Sequence, residues 1–354
     1  MRIAQVAPLT ESVPPQAYGG TERIVAYLTN KLVDMGHEVT LFASGDSVTK
    51  AKLIAPTPVA LRHNPHIVDA IAHIIHLLEL VQQVQHEFDI IHYHVDYFHF
   101  PFSRRSTTAH CTTMHGRLDI EDLKPLFREF SDMPLVSISN AQRKPLAFAN
   151  FIKTIYHGIP QDLLKLHEAK GQYLAFIGRI SPEKRLDRAI EIATKAGIPL
   201  KVAAKVDKVD IPYYEQHIKS LLDNPLVEYI GEINDIEKND FLGNASALLF
   251  PIDWPEPFGL VMIESMACGT PVIAYKCGSV PEVIDEGQTG FIVNSVDEAV
   301  ERVKQLDRID RKVCRKVFEK RFSDRRMAED YVALYQELIE DKYLTQNPLS
   351  YERY

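Results

Sequence analysis

Short apolar segments alternate with longer amphipathic segments along most of this chain. Arg2–Ala7 predicts a strand, and a loop rich in proline and glycine separates it from a predicted helix at Thr21–Met35. His37–Ala43 predicts the next strand. The apolar residues of the helix recur every four positions and predict one buried stripe, formed by Ile24, Leu28 and Leu32. This alternation predicts parallel sheets that are covered by helices on both faces.

The same opening occurs a second time in the second half of the chain. Tyr173–Ile177 predicts a strand, a turn follows at Gly178, and a helix is expected from Pro182 to Ala196 with Ser181 as its N-cap. Pro199–Ala204 predicts the next strand. The expected core stripe of the helix consists of Leu186, Ala189, Ile190 and Ala193.

The repeated opening predicts two doubly wound, Rossmann-like α/β domains. A chain of 354 residues is also longer than a single core usually supports. Glycine and proline interrupt the pattern near His157–Pro160, which places the domains at residues 1–157 and 158–325. The amphipathic segment from about Asp324 to Tyr343 predicts a C-terminal helix. Residues 326–354 are expected to return to the first domain.

Composition limits the class of protein. The net charge of −8 argues against a nucleic-acid partner, which would require a basic surface. The cysteines are widely spaced, and the first residues lack the pattern of a secretion signal, so we expect reduced thiols and a cytoplasmic location. His92 and His94 share one strand face, and Cys268 and Cys277 lie close in sequence. Neither pair has further ligands at suitable spacing, so no metal site is expected.

Two carboxylates, Glu256 and Glu264, lie eight positions apart across a predicted loop-to-helix junction. The helix is predicted to begin near Gly259, with Glu264 about one turn inside it. Proline on both sides of Glu256 restricts the backbone, and Gly269 is placed to end the helix. The helix start presents unpaired N–H groups that favour an anion, at Phe258, Gly259, Leu260 and Val261. Two acids beside an anion site suggest a ligand with hydroxyls and charge, such as a sugar nucleotide. Taken alone, they are also compatible with two solvated acids around an ordinary helix.

This segment resembles the E-x7-E signature of the large retaining glycosyltransferase family called family 4. The resemblance continues through Gly269–Ala274, Gly278–Val283 and Gly287–Phe291. It implies the GT-B architecture, in which two Rossmann-like domains flank an interdomain cleft. It also implies that Glu256 holds hydroxyls of the donor sugar and that Glu264 binds the ribose.

Arg179 and Lys184 surround the helix start that is predicted after the Tyr173–Ile177 strand. Two cations with free N–H groups suit a diphosphate, although a capped helix with two surface cations would give the same pattern. The family has an arginine and a lysine at matching positions, on the donor diphosphate. Lys205, which follows the next strand, is a further candidate for the nucleotide or its phosphates.

The first domain has two further candidate sites. Gly19 and Gly20 end the loop from Pro8 and let a backbone approach a ligand, although a plain flexible loop is an equal alternative. In the family a paired-glycine loop here closes over the donor phosphate. His115 follows a predicted strand end and precedes a glycine. The resemblance assigns it to the sugar hydroxyls and to stabilisation of the transition state.

These features predict a metal-independent, retaining hexosyltransferase with a nucleoside diphosphate sugar as donor, UDP being the expected nucleotide, and no other cofactor. Asp207 and Asp210 lack the spacing and context of a metal-binding Asp-x-Asp. The expected acceptor is a hydroxyl of a saccharide, a lipid-linked saccharide or a small molecule. Alternatives are a sugar-nucleotide epimerase or hydrolase, or a non-catalytic sugar-nucleotide-binding protein.

Basic residues from 308 to 326 favour a solvated helix face, with peripheral membrane contact as the alternative.

Overall fold

The computed structural model describes residues 1–16 and 19–346, which fold into two compact units. The first unit contains Met1–Ile138, Arg143–Gly158 and the residues from Asp324 on. The second unit contains Ser139–Gln142 and Ile159–Ser323. Residues 347–354 of the expected C-terminal segment lie outside the described residues.

The sheet of the first unit is parallel throughout its described strands and is ordered β3-β2-β1-β4-β5-β6-β7. Its strands are β1 (Arg2–Val6), β2 (Glu38–Phe42), β3 (Lys52–Ile54), β4 (Ile90–Tyr93), β5 (Ala109–Thr113), β6 (Leu135–Ser137) and β7 (Phe151–Thr154). The helices between them are α1 (Gly20–Asp34), α2 (Ala70–Val84), α3 (Phe100–Ser103) and α4 (Leu123–Glu129).

The sheet of the second unit is also parallel and is ordered β10-β9-β8-β11-β12-β13. Its strands are β8 (Tyr173–Arg179), β9 (Leu200–Lys205), β10 (Val227–Gly231), β11 (Ala245–Phe250), β12 (Val272–Tyr275) and β13 (Gly290–Val293). Its helices are α5 (Leu186–Ala196), α6 (Ile211–Tyr213), α7 (Asp235–Gly243), α8 (Leu260–Ala267), α9 (Val280–Val283), α10 (Val296–Val303) and α11 (Arg311–Arg321). The two parallel sheets confirm the predicted fold class.

The strand order reverses direction once in each sheet. In the first unit the reversal lies between β1 and β4, and in the second it lies between β8 and β11. Loops that leave such neighbouring strands in opposite directions open a crevice at the carboxyl ends of the strands, where open α/β sheets bind their ligands. The fold therefore selects the loops after β1 and β4, and those after β8 and β11, as the places to search for a site.

The buried stripes that were predicted for α1 and α5 are confirmed, but the predicted start of the second helix is wrong. Pro182–Lys184 forms only a short 3₁₀ turn, and the Ser181 side chain makes no capping hydrogen bond to it. Arg185 then adopts a left-handed conformation with φ of 55°, and α5 begins at the next residue. The conformation is held by ion pairs from Arg185 to Asp187 and Asp253, each at 2.8 Å.

The last helix, α12 (Asp324–Gln346), belongs to the first unit and packs against α1, β4 and β5. The apolar residues Met327, Tyr331 and Leu334 of this amphipathic helix are buried, and Leu338 is half-buried. Tyr331 and Tyr335 of the same helix are buried with their hydroxyls inside the unit. Among the described residues, none of the helices combines the length and the apolar character needed to span a bilayer.

The basic segment at 308–326 divides into two groups. Lys312, Lys316 and Lys320 are exposed, as predicted for a solvated helix face. The prediction is wrong for Arg315, whose guanidinium donates to the carbonyls of Leu164 at 2.7 Å and Ala267 at 2.8 Å.

Arg311, at the start of α11, is turned inward in the same way. It donates to the carbonyls of His167 (2.5 Å), Gly243 (2.5 Å) and Ala245 (2.9 Å), and to the Thr270 hydroxyl (2.6 Å). One guanidinium therefore satisfies carbonyls at the ends of separate elements, including the last residue of α7.

Arg311→Met tests this structural role. We expect the free energy of unfolding of the second unit to fall by about 3 kcal/mol, because several backbone carbonyls would lose their donor inside the protein. Chemical denaturation followed by circular dichroism measures the change. The neighbouring Lys312 pairs with Glu168 at the surface, so Lys312→Met should leave the unfolding midpoint almost unchanged. Equal midpoints for both variants would contradict the role given to Arg311.

Candidate functional site

The loops after β8 and β11 meet at the switch point of the second sheet. β8 ends at Arg179, and the loop after β11 carries Glu256 and leads into α8. The backbone amide of Asp253 donates to the Glu183 carbonyl at 2.9 Å and joins the two loops. Side chains that are far apart in sequence are thereby collected in the crevice that the topology selects.

Arg179 lies among carboxylates at the end of β8. Its guanidinium contacts Glu183, approaches Asp210 with Nε to Oδ2 at 3.2 Å, and approaches Asp207 with Nη1 to Oδ2 at 3.6 Å. Burial raises the pKa of the Asp210 carboxyl, although the charge of Arg179 opposes this. The pair Asp207 and Asp210, which the sequence did not place in the site, therefore surrounds the cation.

Lys205 belongs to the same charged group. It ends β9, pairs in register with Arg179 across the sheet, and contacts Asp207 with Nζ to Oδ1 at 2.9 Å. Asp207 thus lies between two cations at neighbouring strand ends. The predicted candidates Arg179 and Lys205 are brought together, in a setting where acidic partners neutralise both.

Lys184 and Glu256 form an ion pair that bridges the two loops of the crevice. The indole Nε1 of Trp254 donates to the same Glu256 oxygen, Oε2, at 3.0 Å. The Lys184 ammonium also lies 5.3 Å from the centre of the Trp254 ring, within cation–π range. The Lys184 side chain is 21% exposed and that of Glu256 is 13% exposed, so the pair is largely shielded from water yet reachable.

Glu264 lies one turn inside α8, as predicted, and is buried. Its Oε1 accepts a hydrogen bond from Nζ of Lys238 at 2.8 Å, and Lys238 also contacts Asp235 at 3.2 Å. Lys238 comes from α7 and was not among the predicted residues. A lysine in the middle of a polar helix carries no sequence signal that connects it to Glu264.

The start of α8 matches the prediction in its backbone. Gly259 has φ of 82° and precedes the first helical residue, Leu260. Among the described residues no side chain caps this end, so Leu260 and Val261 begin a helix with uncapped N–H groups. Phe258 is buried against Phe322, and its carbonyl accepts from the Ser279 hydroxyl at 2.7 Å. Phe258 therefore anchors the loop, and the helix start remains suited to an anion.

The glycine loop of the first unit is described only in part, because Ala17 and Tyr18 lie outside the described residues. Gly19 has φ of 153° and caps α1, which begins at Gly20. The neighbouring Glu22 is buried in the first turn, and burial raises the pKa of its carboxyl. A carboxyl group thus lies at the helix start where the family resemblance implies a contact with the donor phosphate.

His115 follows β5 in the first unit and is half-buried. Its Nε2 lies 2.9 Å from Nδ1 of His94, and its ring stacks on His157 with centroids 5.2 Å apart. Burial lowers the pKa of His115 to about 3, so the ring is neutral at physiological pH. It can therefore act on a ligand through a hydrogen bond but not through a positive charge.

Asp96 was also missed by the sequence analysis. It lies two residues after His94, at the carboxyl end of β4, and its backbone has φ of 50°, which is uncommon for a residue other than glycine. Burial raises the pKa of its carboxyl to about 6. Within the described part of the chain, no group of three or more His, Cys, Asp or Glu side chains is arranged to hold a metal ion.

A glycine fixes the position of Glu256. A Cβ on Gly278 would lie 2.4 Å from both the amide nitrogen and the carbonyl oxygen of Glu256, and Gly278 has φ of 54°. Gly287 also has a left-handed φ, of 74°, but a Cβ there would meet nothing within 4 Å. Both glycines thus have a left-handed backbone, but only at Gly278 would a Cβ collide with Glu256.

Gly278→Ala should therefore displace the Glu256 backbone, whereas Gly287→Ala should cost only the conformational term of about 1 kcal/mol. Trp254 is the single tryptophan of the chain, so its fluorescence reports on this loop. We expect a shifted emission spectrum and a lower unfolding midpoint for Gly278→Ala, with wild-type emission for Gly287→Ala. Unchanged emission in both variants would contradict the close approach.

The sequence is similar to known proteins over most of its length. The sequence matches the family model Glycosyltransferase Family 4 over residues 18–159 and the model Glycosyl transferases group 1 over residues 164–319. N-acetyl-alpha-D-glucosaminyl L-malate synthase from Bacillus anthracis is 26% identical over 54% of this chain and 55% of its own. D-inositol 3-phosphate glycosyltransferase from Mycobacterium leprae is 32% identical over 43% of this chain and 35% of its own. The chain spans about half the length, or less, of these curated relatives.

Solved structures resemble nearly the whole chain. AviGT4, a glycosyltransferase involved in avilamycin A biosynthesis, has a TM-score of 0.73 at 23% identity and covers 96% of this chain and 98% of its own. Sucrose-phosphate synthase from Thermosynechococcus elongatus has a TM-score of 0.76 at 18% identity, with coverage of 96% and 100%. Anabaena Alr3699/HepE, solved with UDP and glucose, has a TM-score of 0.73 at 17% identity over the same shares.

At such identities the likeness to solved structures establishes the fold, and the two family matches together cover most of the sequence. The chain therefore belongs to the group 1, family 4 glycosyltransferases with the GT-B fold.

Proposed function

We propose that this protein is a retaining glycosyltransferase that moves a hexosyl group from a UDP-sugar to a hydroxyl acceptor without a divalent metal. The observation that carries the proposal is the contact between Lys184, after β8, and Glu256, in the loop that leads into α8. A cation suited to a diphosphate and an acid suited to sugar hydroxyls lie side by side in the crevice where this fold binds ligands.

The donor would extend along the second unit from Glu256 to Glu264. Glu256 would accept hydrogen bonds from hydroxyls of the sugar. The uncapped start of α8 would receive the diphosphate, and the buried Glu264 would accept from the ribose hydroxyls. Lys238 would orient the Glu264 carboxylate for that contact through its hydrogen bond to Oε1.

In the proposed reaction the bond between the anomeric carbon and the diphosphate oxygen breaks, and the acceptor oxygen bonds to the same face of that carbon. The proton of the acceptor hydroxyl passes to an oxygen of the leaving diphosphate. Negative charge accumulates on that diphosphate in an oxocarbenium-like transition state, where Arg179 and Lys184 stabilise it. Their two positive charges would supply the neutralisation that a divalent cation supplies in other phosphate sites.

The choice of uridine is a separate step from the choice of a nucleoside diphosphate sugar. It rests on the sequence resemblance and on the structural neighbour from Anabaena, which was solved with UDP and with UDP-glucose. The acceptor is proposed only as a hydroxyl compound.

Substitution of the cations tests the proposed chemistry. Lys184→Ala and Arg179→Ala should each lower kcat about 100-fold or more, because each cation acts chiefly on charge that develops in the transition state. The dissociation constant for the donor should rise by a smaller factor. Assays that follow release of UDP, with EDTA present throughout, measure kcat under conditions in which we expect the wild type to be fully active.

The control is Lys219→Ala, because Lys219 is a surface cation of the second unit that pairs with Glu215. Its kcat should equal that of the wild type. Equal activity of the wild type and both site variants would contradict the assignment. Loss of wild-type activity in EDTA would contradict metal independence but leave the transferase assignment intact.

Donor binding can be measured directly through Trp254, which contacts Glu256. We expect UDP-sugars to change its fluorescence saturably and to raise the unfolding midpoint, by the equivalent of about 2.7 kcal/mol at a 100-fold excess over Kd. GDP- and ADP-sugars should bind more weakly. Epimer or free sugar formed from the donor alone would indicate an epimerase or hydrolase. Binding without transfer to any hydroxyl acceptor would indicate a non-catalytic binding protein.

A further inference from the structure

A chain of hydrogen-bonded side chains crosses the interior of the first unit and ends at His115. It is centred on Gln5 of β1, which is fully buried. The Gln5 amide contacts His94 on one side and Tyr335 on the other. The side chains of β1, β4, β5 and α12 thus share one polar network within the core.

Each histidine of the network carries a single ring proton. Burial lowers the pKa of His92 and His94 well below the ordinary value, and lowers that of His115 to about 3. A neutral imidazole has one nitrogen that donates and one that accepts. Fixing one nitrogen therefore fixes the other.

The Gln5 amide determines which atom donates in each hydrogen bond between Gln5 and His115. Its carbonyl oxygen Oε1 lies 2.8 Å from Nε2 of His94, so His94 must donate through Nε2 and accept through Nδ1. Nδ1 of His94 lies 2.9 Å from Nε2 of His115, which must then be the donor. The remaining nitrogen of His115, Nδ1, keeps its lone pair. This atom is buried and has no hydrogen-bond partner among the described residues.

The opposite arm of the network is consistent with the same amide orientation. Nε2 of Gln5 donates to the Tyr335 hydroxyl at 3.1 Å, and that hydroxyl lies 2.6 Å from Nδ1 of His92 and can donate to it. His92 then donates through Nε2 to the Thr113 hydroxyl at 2.7 Å. Thr113 completes the arm by donating to the Tyr331 hydroxyl at 2.8 Å. No step in either arm places two donors or two acceptors against each other.

We propose that Gln5 and His94 are positioning residues that hold His115 with its proton on Nε2, so that the Nδ1 lone pair accepts a hydrogen bond from a hydroxyl of the ligand. The identity of that hydroxyl as one of a sugar rests on the proposed function. His157 stacks on the His115 ring and holds its plane while the relay selects its tautomer. The role belongs to the relay as a whole, since neither Gln5 nor His94 is required to touch the ligand.

The tautomer can be read from imidazole nitrogen shifts of the whole protein, labelled with ¹⁵N in histidine and free of ligand. The His115 signals are assigned by their loss in His115→Gln. We expect a protonated Nε2 and an unprotonated Nδ1 in the wild type. Gln5→Leu, which removes the acceptor for His94, should give a mixture of both tautomers. Gln5→Glu, which retains an acceptor oxygen, should restore the wild-type tautomer.

Thr113→Val is the matched control. It removes a hydroxyl from the other arm of the same buried network and leaves the contacts of Gln5, His94 and His115 in place. We expect it to retain the His115 tautomer. A protonated Nδ1 in the wild type would overturn the proposal, even if Gln5→Leu does not fold. An unchanged tautomer in folded Gln5→Leu would overturn the role of Gln5.

Kinetics connect the tautomer to the ligand. Gln5→Leu should lower kcat/KM for the UDP-sugar about tenfold, the size of one lost hydrogen bond, while Thr113→Val retains the wild-type value. With a series of deoxy-sugar donors, the difference between Gln5→Leu and the wild type should vanish for the analogue that lacks the contacted hydroxyl. A difference that persists for every analogue would contradict the contact. Absence of transfer by the wild type would defeat the proposed function and leave the tautomer result standing.

Discussion

Positive charge collected at one edge of a parallel sheet has to be neutralised when no ligand is present, and this requirement shapes the site of the second unit. Arg179 is surrounded by carboxylates, Lys184 pairs with Glu256, and Lys238 pairs with Glu264. The side chains of Lys184, Glu256, Lys238 and Glu264 are at most 21% exposed, and leaving a charge unpaired in such a setting costs several kcal/mol. A ligand of the proposed kind would therefore have to exchange with these existing ion pairs.

Under the proposed function, that exchange would favour a sugar nucleotide over a simple anion. Inorganic phosphate could replace Glu256 on Lys184, but the displaced carboxylate would keep the Trp254 indole as a donor and lose its counter-charge while still largely buried. A donor with a diphosphate and hydroxyls satisfies both members of each pair, since the phosphate binds the cation and the hydroxyls donate to the acid. Selectivity would then arise from the groups that an incomplete ligand leaves unpaired.

Local patterns predicted the repeated strand and helix openings, the start of α8 at Gly259 and the position of Glu264 one turn inside it. They failed where a residue that is distant in sequence determines the backbone conformation or supplies the counter-charge. The left-handed Arg185 depends on Asp253, which lies in another loop, and no periodicity within Pro182–Ala196 records that partner. Lys238 was missed for the same reason. Parallel sheets bring successive loops together only through topology, so motif residues can be found from sequence while their counter-charges cannot.

The polar core of the first unit is built from neutral hydrogen bonds, whereas the crevice of the second unit is built from ion pairs. The sequence pattern placed His92 and His94 correctly on one strand face, and their ring centroids lie 4.0 Å apart. The pattern could not show that Gln5 and Tyr335 connect these two histidines through hydrogen bonds. Ion pairs have no intrinsic direction and can be exchanged for ligand groups of the same sign. Neutral hydrogen bonds have a donor and an acceptor, so a buried chain of them transmits orientation over several side chains. The abundance of histidine near this core is thus best explained by the ability of a neutral imidazole to accept at one nitrogen and donate at the other.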